Sequence, residues 1–191
     1  MSENRKKKSV LRASVLKERA RINSDTWKMK SDLIAEKVQN IQEFNRADCI
    51  HVYVSMNDRN EVGTDTLINI ILQSGKNLVV PVTNFKNGTL THSMLTDLND
   101  LKKNKWGVRE PVAIYEIKVS NIDFILVPMV AADKSGNRLG YGKGFYDRFL
   151  NKSDACKVGM VFNEFLFDEI PTESFDEKLD IIVTDREVIY L

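Results

Sequence analysis

The stretch at positions 122–130, IDFILVPMV, restricts the fold more than any other part of the chain. Its residues are apolar almost without interruption, and a short run of this kind is typical of a strand buried on both faces. Further strand-like runs alternate with helix-like segments, at 49–55, 77–82, 157–162, 180–185 and 187–191. Alternating strands and helices predict an α/β fold whose mostly parallel sheet is flanked by helices.

The spacing of apolar residues predicts the helices that accompany these strands. They are expected at 5–22, from Ser24 or Asp25 onward, at 65–76 with a stop near Gly75, and at 145–150. The middle of the chain is less regular, with a short strand near Met94 and a loop at 105–111. A length of 191 residues predicts one domain, 1–191, because no linker or repeat interrupts the pattern.

Composition is that of a globular protein, with 42% hydrophobic and 29% charged residues. No apolar run reaches the roughly 20 residues that a membrane helix needs, and the basic N-terminus MSENRKKKSVLR has no apolar stretch behind it. We therefore expect no membrane contact and no signal peptide. The two cysteines, Cys49 and Cys156, suit a reducing cytoplasm. His51 and His92 stand alone, so we expect packing or surface roles for them.

Charge is distributed unevenly. The first 30 residues carry ten Lys or Arg against three acids, a charge of +7, and the whole chain carries +1, so the remainder carries −6. A basic arm of this kind is commonly a solvated helix surface. Alternatively, it binds an anion.

The segment RLGYGKG at 138–144 places three glycines on alternate positions between a predicted strand and a predicted helix. Glycine permits close backbone approach, and the N-terminus of a helix attracts anions. With Arg138 and Lys143, the pattern favours a phosphate-binding loop over an empty turn. It differs from the dinucleotide fingerprint because residue 145 is Phe, and from a Walker A loop because Lys143 precedes Gly144.

Three charged residues have two interpretations each. Asp147 lies in the first turn of the helix after the glycines, where it either compensates the helix dipole or binds magnesium. Lys8 and Arg12 lie four residues apart, so they share one face of the first helix. That face is either an exposed helix surface or a second clamp for phosphate.

The chain resembles the 5-formyltetrahydrofolate cyclo-ligase family, also called 5,10-methenyltetrahydrofolate synthetases, along essentially its whole length. The glycine segment is the most specific part of the resemblance. The segments that carry it are KSVLR at 8–12, EVGT at 61–64, WGVREP at 106–111, VPMVAADKSGNRLGYGKGFYDRFL at 127–150 and FDEKLDIIVTD at 175–185.

The resemblance implies a single three-layer Rossmann-like domain and an ATP-dependent enzyme that requires Mg²⁺. Such an enzyme phosphorylates the formyl oxygen of 5-formyltetrahydrofolate and closes the ring to 5,10-methenyltetrahydrofolate, releasing ADP and phosphate. Asp147 and Asp176 are then the magnesium carboxylates, and Val54 and Glu61 hold the pterin. The residues implied to bind ATP are Lys8, Arg12, Arg138, Leu139, Gly140, Tyr141, Gly142, Lys143, Gly144, Phe145 and Tyr146. Folate is also implied to contact Arg12, Tyr141, Gly142, Lys143, Gly144 and Phe145.

Five positions depart from the pattern that the family commonly shows: Val82, Gly63, Met129, Ala132 and Phe145. None of them removes an implied phosphate or magnesium contact. Met129 and Val82 are expected to reshape the substrate pocket.

Two other functions fit parts of the sequence. The basic arm alone suits a non-catalytic module that binds RNA, although the acidic body and the absence of a basic and aromatic stripe argue against it. The glycine loop alone suits a phosphotransferase for a small carboxylate. The cyclo-ligase hypothesis accounts for more of the chain than either alternative. It predicts a monomeric cytoplasmic enzyme that binds small molecules and does not bind nucleic acid.

Overall fold

The computed structural model describes residues 3–191; positions 1 and 2, which belong to the predicted domain 1–191, lie outside the described residues. The helices are α1 (Glu3–Arg19), α2 (Ser24–Gln39), α3 (Gln42–Arg46), α4 (Asp65–Gln73) and α5 (Phe145–Leu150). The strands are β1 (Cys49–Val52), β2 (Asn77–Asn84), β3 (Thr89–Met94), β4 (Leu101–Lys103), β5 (Arg109–Pro111), β6 (Phe124–Val127), β7 (Ala131–Asp133), β8 (Arg138–Leu139), β9 (Cys156–Met160), β10 (Leu166–Phe167), β11 (Ile181–Val183) and β12 (Val188–Tyr190).

Seven of the described strands form the central sheet, in the order β12-β11-β9-β6-β1-β2-β3. The five inner strands are parallel, and the two edge strands, β12 and β3, pair antiparallel with their neighbours. The run that dominates the sequence becomes β6 at the centre of this sheet, and all four of its residues are fully buried. The predicted α/β fold with a mostly parallel sheet is confirmed.

The order of the strands reverses between β1 and β6. From β1 the chain continues to β2 on one side, then returns past β1 to β6 and proceeds outward to β9 and β11. The connections that leave β1 and β6 therefore diverge, and a crevice opens at the carboxyl ends of these two strands. Ligands of open α/β sheets bind at such a switch point.

The helices lie on both faces of the sheet. Crossovers between parallel strands are right-handed, so α4 (between β1 and β2) and α5 (between β6 and β9) fall on opposite faces because the chain moves in opposite directions. On the α5 face, the ring of Phe149 lies 4.8 Å from that of His51 and 4.1 Å from that of His92. Both histidines are thus packed in the core. No helix within residues 3–191 has the length and apolarity needed to cross a bilayer.

Several predicted boundaries were wrong. The first helix ends at Arg19 rather than at residue 22, because the Asn60 amide nitrogen donates to the carbonyl oxygens of Arg19 and Ile22 and closes that end. The first strand ends at Val52, since the N–H of Ser55 donates to the Thr64 hydroxyl oxygen instead of continuing the ladder.

The predicted loop 105–111 contains a strand at its end. Residues of β5 pair with β4 in a small antiparallel hairpin, and Gly107, with φ of 80°, lies in its turn. The helix α3 and the short sheet β10-β7-β8 were also absent from the prediction. The short sheet carries the chain directly into the glycine segment, because β8 ends at Leu139.

Candidate active site

A cleft of about 710 Å³ opens at the switch point of the sheet. The loops that follow β1 and β8 form its walls, and α1 lies along one side. Sequence-predicted residues that line this cleft are Lys8, Arg12, Val54, Glu61, Arg138, Gly140, Tyr141, Gly142, Lys143, Gly144, Phe145, Tyr146, Asp147 and Asp176. The topology thus brings together segments up to 168 positions apart in the sequence.

Leu139 is the predicted residue that lies outside the lining. Its side chain is fully buried in β8, and its carbonyl oxygen accepts the N–H of Val130 at 2.7 Å. Leu139 therefore packs beneath the glycine loop (140–144) instead of facing the cleft.

Each glycine of the glycine loop lies against an arginine side chain. A Cβ added at Gly142 would come within 3.2 Å of the Arg12 guanidinium, and one at Gly144 within 2.9 Å of Arg148. Both glycines also have positive φ, 84° and 67°, which side-chain-bearing residues rarely adopt. The Arg12 Nε donates to the Gly140 carbonyl oxygen at 2.7 Å. The positive φ therefore favours glycine at 142 and 144, and a side chain at any of the three positions would also displace a guanidinium group.

Two buried cation–carboxylate pairs cross the phosphate end of the cleft, which we define as the glycine loop with Lys8, Arg138, Asp147 and Asp176. The Lys8 Nζ lies 2.6 Å from both carboxylate oxygens of Asp176, and the Arg138 Nη2 donates to the Asp147 carboxylate. Burial lowers the pKa of Arg138, while Asp147 and Asp176 oppose that shift. Six basic and four acidic side chains line the whole cleft, which leaves a net charge of +2.

Two buried polar atoms of cleft-lining residues, the Arg138 Nε at this end and the Tyr146 hydroxyl between Arg138 and Glu61, have no hydrogen-bond partner among the described residues. Burial raises the pKa of Tyr146, so the hydroxyl keeps its proton and remains a donor. Unpaired buried donors are costly, and a ligand oxygen in the cleft satisfies them. The phosphate end is therefore suited to an anion.

The chemistry of Asp147 and Asp176 fits a magnesium ion that arrives with phosphate. Residues 3–191 contain no group of three or more His, Cys, Asp or Glu side chains able to hold a metal alone. Mg²⁺ commonly binds through one or two carboxylates and completes its shell with phosphate oxygens and water. Asp147 and Asp176 in one basic cleft meet that requirement. They are too few to hold a metal ion without ligands from phosphate and water.

The other end of the cleft, the Glu61 end, is built by the loop after β1. Glu61 is 4% exposed, and its carboxylate accepts the N–H of Met56 at 2.6 Å and the hydroxyl of Tyr141. The indole Nε1 of Trp27 donates to the Glu61 carbonyl oxygen at 2.6 Å and fixes the loop. Burial raises the pKa of Glu61, and the N–H of Met56 opposes that rise. Val54, also buried, lies in the lining beside it.

An aromatic rim borders the opening of the cleft. The ring of Phe85 lies 5.0 Å from that of Trp106 and 5.7 Å from that of Phe145, and all three residues line the cleft. Trp106 is 50% exposed. Exposed aromatic rings beside a cavity provide a surface on which a flat ligand ring can stack.

Sequence reasoning missed Phe85 and Arg19. Phe85 follows β2 with no motif around it, so nothing in the sequence marks it. Arg19 does have a signal: it lies seven residues after Arg12 and eleven after Lys8, and these spacings return to the same helix face. Its side chain is 3% exposed and donates to the Tyr141 hydroxyl at 2.7 Å.

The residues that depart from the family pattern are mostly directed away from the cleft. The Met129 side chain packs over Gly159, where an added Cβ would lie 2.1 Å from its terminal methyl group. Val82 is absent from the lining, although its neighbours Pro81 and Thr83 are part of it. Strand alternation explains this, since successive side chains point to opposite faces. Any effect of Met129 or Val82 on the pocket is therefore indirect.

The other departures have separate surroundings. Ala132 is fully buried in β7. A Cβ added at Gly63 would lie 3.2–3.3 Å from the Trp27 and Ser31 side chains, so a larger residue requires both to move. Phe145 forms part of the aromatic rim.

The fold and the cleft define this chain as a doubly wound α/β protein with a basic, glycine-rich cleft at its switch point. The model of the 5-formyltetrahydrofolate cyclo-ligase family matches residues 4–185. The chain therefore belongs to the 5-formyltetrahydrofolate cyclo-ligase family, a family of enzymes, and the resemblance found in the sequence is confirmed.

Individual relatives agree with this assignment. The 5-formyltetrahydrofolate cyclo-ligase of Haemophilus influenzae is 32% identical, covering 94% of this chain and 99% of the relative. A probable 5-formyltetrahydrofolate cyclo-ligase of Schizosaccharomyces pombe is 30% identical, covering 96% and 97%. The solved structure of Aquifex aeolicus 5,10-methenyltetrahydrofolate synthetase superposes with a TM-score of 0.85 at 29% identity, covering 96% of this chain and 92% of the other.

Proposed function

We propose that this protein converts 5-formyltetrahydrofolate and ATP into 5,10-methenyltetrahydrofolate, ADP and phosphate, and that it requires Mg²⁺. Family membership supports the reaction. The observation that carries the proposal to this chain is the presence of two chemically different ends in one cleft. One end has a surplus of cations and unpaired donors, and the other has a buried carboxylate acceptor.

The phosphate end is assigned to the triphosphate of ATP. Lys8, Arg12, Arg138 and Lys143 supply positive charge there, and the glycine loop allows the ligand to approach the backbone. Residues 144–146 continue the same wall of the cleft into α5.

The Glu61 end is assigned to the pterin of the folate. A carboxylate is an acceptor, and the amino and ring N–H groups of a pterin are donors, so their hydrogen-bonding chemistry is complementary. Val54 provides an apolar contact for the ring. The loop residues 141–145 are assigned to both substrates, because the glycine loop belongs to the phosphate end while the Tyr141 hydroxyl lies beside Glu61.

The reaction itself requires positioning and charge stabilisation more than a strong base. The formyl oxygen attacks the γ-phosphorus, and the bond from that phosphorus to ADP breaks. The neighbouring folate N10 then attacks the formyl carbon, loses its proton, and displaces phosphate with the original formyl oxygen. The Arg138 Nε and the Tyr146 hydroxyl have no hydrogen-bond partner among the described residues, so they are available to donate to phosphoryl oxygens.

With nucleotide bound, Lys8 and Arg138 would pair with phosphate oxygens in place of Asp176 and Asp147. Asp147 and Asp176 are the residues that would then hold Mg²⁺. The ion supplies charge neutralisation to the phosphates when it is bound. The carboxylates thus keep the cations ordered before the substrate arrives.

The proposal includes the setting of the enzyme: a monomer in the cytoplasm that acts on small molecules and binds no nucleic acid. Burial raises the pKa of Cys49 to about 11 and that of Cys156 to about 12, so both thiols stay protonated and unreactive. Size-exclusion chromatography with light scattering tests the monomer, and a salt-sensitive shift of labelled RNA in a gel would contradict the absence of nucleic-acid binding.

The decisive assay for the activity follows the near-ultraviolet absorbance of the methenyl product. Purified protein with 5-formyltetrahydrofolate, ATP and Mg²⁺ is expected to produce this absorbance, while parallel reactions without ATP are expected to stay flat. A folded protein that produces no absorbance change rejects the proposed reaction. Release of ADP with another carboxylate, but not with folate, would instead support a phosphotransferase.

A further inference from the structure

Arg19 is a buried cation that joins three separate loops of the cleft. Its Nε donates to the carbonyl oxygen of Arg59 at 3.1 Å, its Nη1 to that of Met129 at 3.4 Å, and its Nη2 to the Tyr141 hydroxyl at 2.7 Å. These acceptors follow β1, β6 and β8, respectively. The planar guanidinium is suited to this task because its donors point in fixed directions.

The hydrogen bonds run in one direction from Arg19 to Glu61. A guanidinium only donates and an ionised carboxylate only accepts, so the Tyr141 hydroxyl must accept from Arg19 and donate its proton to Glu61. Burial raises the pKa of Tyr141, which keeps that proton on the hydroxyl. With the N–H of Met56 as a second donor, the Glu61 carboxylate is held in one orientation.

The charge of Arg19 also favours the ionised form of Glu61. Burial alone raises the pKa of this carboxyl group, and the Met56 N–H, the Tyr141 hydroxyl and the charge of Arg19 oppose the rise. Ionisable groups that face Glu61 come from each neighbouring element: Arg19 from α1, Arg59 from its own loop, Tyr53 after β1, Tyr141 from the glycine loop and Tyr146 from α5.

We propose that Arg19 is a positioning residue for the folate substrate, which acts through the Tyr141 hydroxyl to hold Glu61 oriented and ionised. This rests on the proposed function, because Glu61 is assigned there to the pterin. Arg19 itself lies behind the cleft wall, so it contacts neither substrate. The Arg19–Tyr141–Glu61 chain couples the end of α1 to the pterin end of the cleft.

The test measures equilibrium binding of 5-formyltetrahydrofolate and of ATP to Arg19→Met, Arg19→Lys, Tyr141→Phe and the Arg19→Met/Tyr141→Phe double variant. Arg21→Met is the matched control, because Arg21 lies two positions further along, is exposed, and pairs with Glu18. Hydrogen bonds to charged groups predict that Arg19→Met and Tyr141→Phe each weaken folate binding about tenfold or more. ATP binding to Arg19→Met should stay within about twofold, since Arg19 lies outside the cleft lining and the phosphate end keeps its ligands.

Two further readouts separate positioning from a merely structural role. Because both act through one hydroxyl, the double variant should bind folate no more weakly than the worse single variant. Folate affinity should fall at low pH as Glu61 is protonated, and we call this fall the acidic limb. It should occur at higher pH in Arg19→Met than in the wild type, because Glu61 loses the favourable charge of Arg19. Arg19→Lys keeps the charge and should restore that limb toward the wild-type position.

The proposal is overturned if Arg19→Met binds folate as the wild type does, or if the two single effects add in the double variant. Should Arg19→Met fail to fold, Tyr141→Phe provides the test by itself. Loss of folate binding at a higher pH than in the wild type supports the proposal, and loss at the wild-type pH rejects it. A wild-type protein that binds no folate would contradict the proposed function instead, which keeps the two failures distinguishable.

Discussion

Lys8 and Asp176 are 168 positions apart in the sequence, yet the Lys8 ammonium lies 2.6 Å from both carboxylate oxygens of Asp176. Lys8 is 7% exposed, so the pair is shielded from water and each charge depends on the other. The pair joins α1 to the segment before β11 across the cleft. It links the stability of the fold to the site that we assign to phosphate.

Lys8→Met is expected to reduce both stability and ATP binding. Breaking a buried ion pair leaves an uncompensated charge, and the free energy of unfolding should fall by about 3 kcal/mol. Lys8→Met/Asp176→Asn should recover most of that stability but not the ATP affinity. Chemical denaturation and ATP titration measure the two effects. Lys7→Met serves as the control, since Lys7 is exposed and pairs with Glu3 on the same helix; a similar loss of ATP binding there would contradict the assignment.

Asp147→Asn is expected to make the enzyme dependent on higher magnesium concentrations. Loss of an outer-shell partner alone typically weakens metal affinity about 10- to 100-fold, so loss of a coordinating carboxylate should weaken it at least as much. The activity at limiting Mg²⁺ should fall accordingly. Initial rates against free Mg²⁺ at saturating ATP measure this. Asp168→Asn is the matched control, because Asp168 is exposed and pairs with Lys134. An Asp147→Asn enzyme with the wild-type magnesium dependence would remove Asp147 from the metal site.

Gly142→Ala is expected to lower stability and ATP affinity together. A Cβ at φ of 84° costs about 1 kcal/mol, and it would also push against the Arg12 guanidinium at 3.2 Å. Gly75→Ala provides the comparison, because Gly75 has a φ of 76° with nothing within 4 Å of the added Cβ. Gly142→Ala should lose at least as much stability as Gly75→Ala, but only Gly142→Ala should raise the KM for ATP. Equal KM values would show that the glycine loop does not contact the nucleotide.

The stability of the protein is expected to fall below pH 6.5 because two histidines are buried without charge. Burial lowers the pKa of His92 to about 4 and that of His51 well below 6.5, and the neighbouring His92 lowers the pKa of His51 further. The unfolded chain takes up protons as the pH falls through 6.5, while the folded chain does not until about pH 4 for His92. The favourable contribution is therefore full above pH 6.5 and is lost toward pH 4.

His92→Phe isolates this contribution from other titrating groups. The stability lost between pH 7 and pH 4.5 should be smaller in His92→Phe by about 1–3 kcal/mol. Urea denaturation at a series of pH values gives the comparison. Parallel curves for the variant and the wild type would show that His92 is protonated in the folded protein.

The parts of the fold that could be predicted are those with a strong periodic signal. The continuous apolar run of β6 fixed the centre of the sheet, because only burial on both faces accounts for such a strand. The helix α3 was missed because five residues with one buried side chain, Phe44, provide no period. The hairpin β4–β5 was missed because Lys102 and Lys103 are exposed and resemble a loop.

The site residues that could be predicted are those whose type and position along the chain already indicate a function. The alternating glycines predicted the glycine loop from the sequence alone. Asp176 was predicted only through the family resemblance, because its partner Lys8 is remote in sequence. The sequence does not reveal which way a side chain points. Met129 was therefore expected to shape the pocket, but it packs over Gly159 instead of facing the cleft. Arg19 was missed because its importance depends on acceptors from three loops that only the fold brings together.

The central claim is that the formyl oxygen of folate is phosphorylated by ATP within this cleft. Its most direct test uses 5-formyltetrahydrofolate labelled with ¹⁸O in the formyl group, with mass spectrometry of the phosphate released alongside the methenyl product. Transfer of the label to phosphate is the predicted result. Methenyl product with unlabelled phosphate, or no product from folded protein, would contradict the claim.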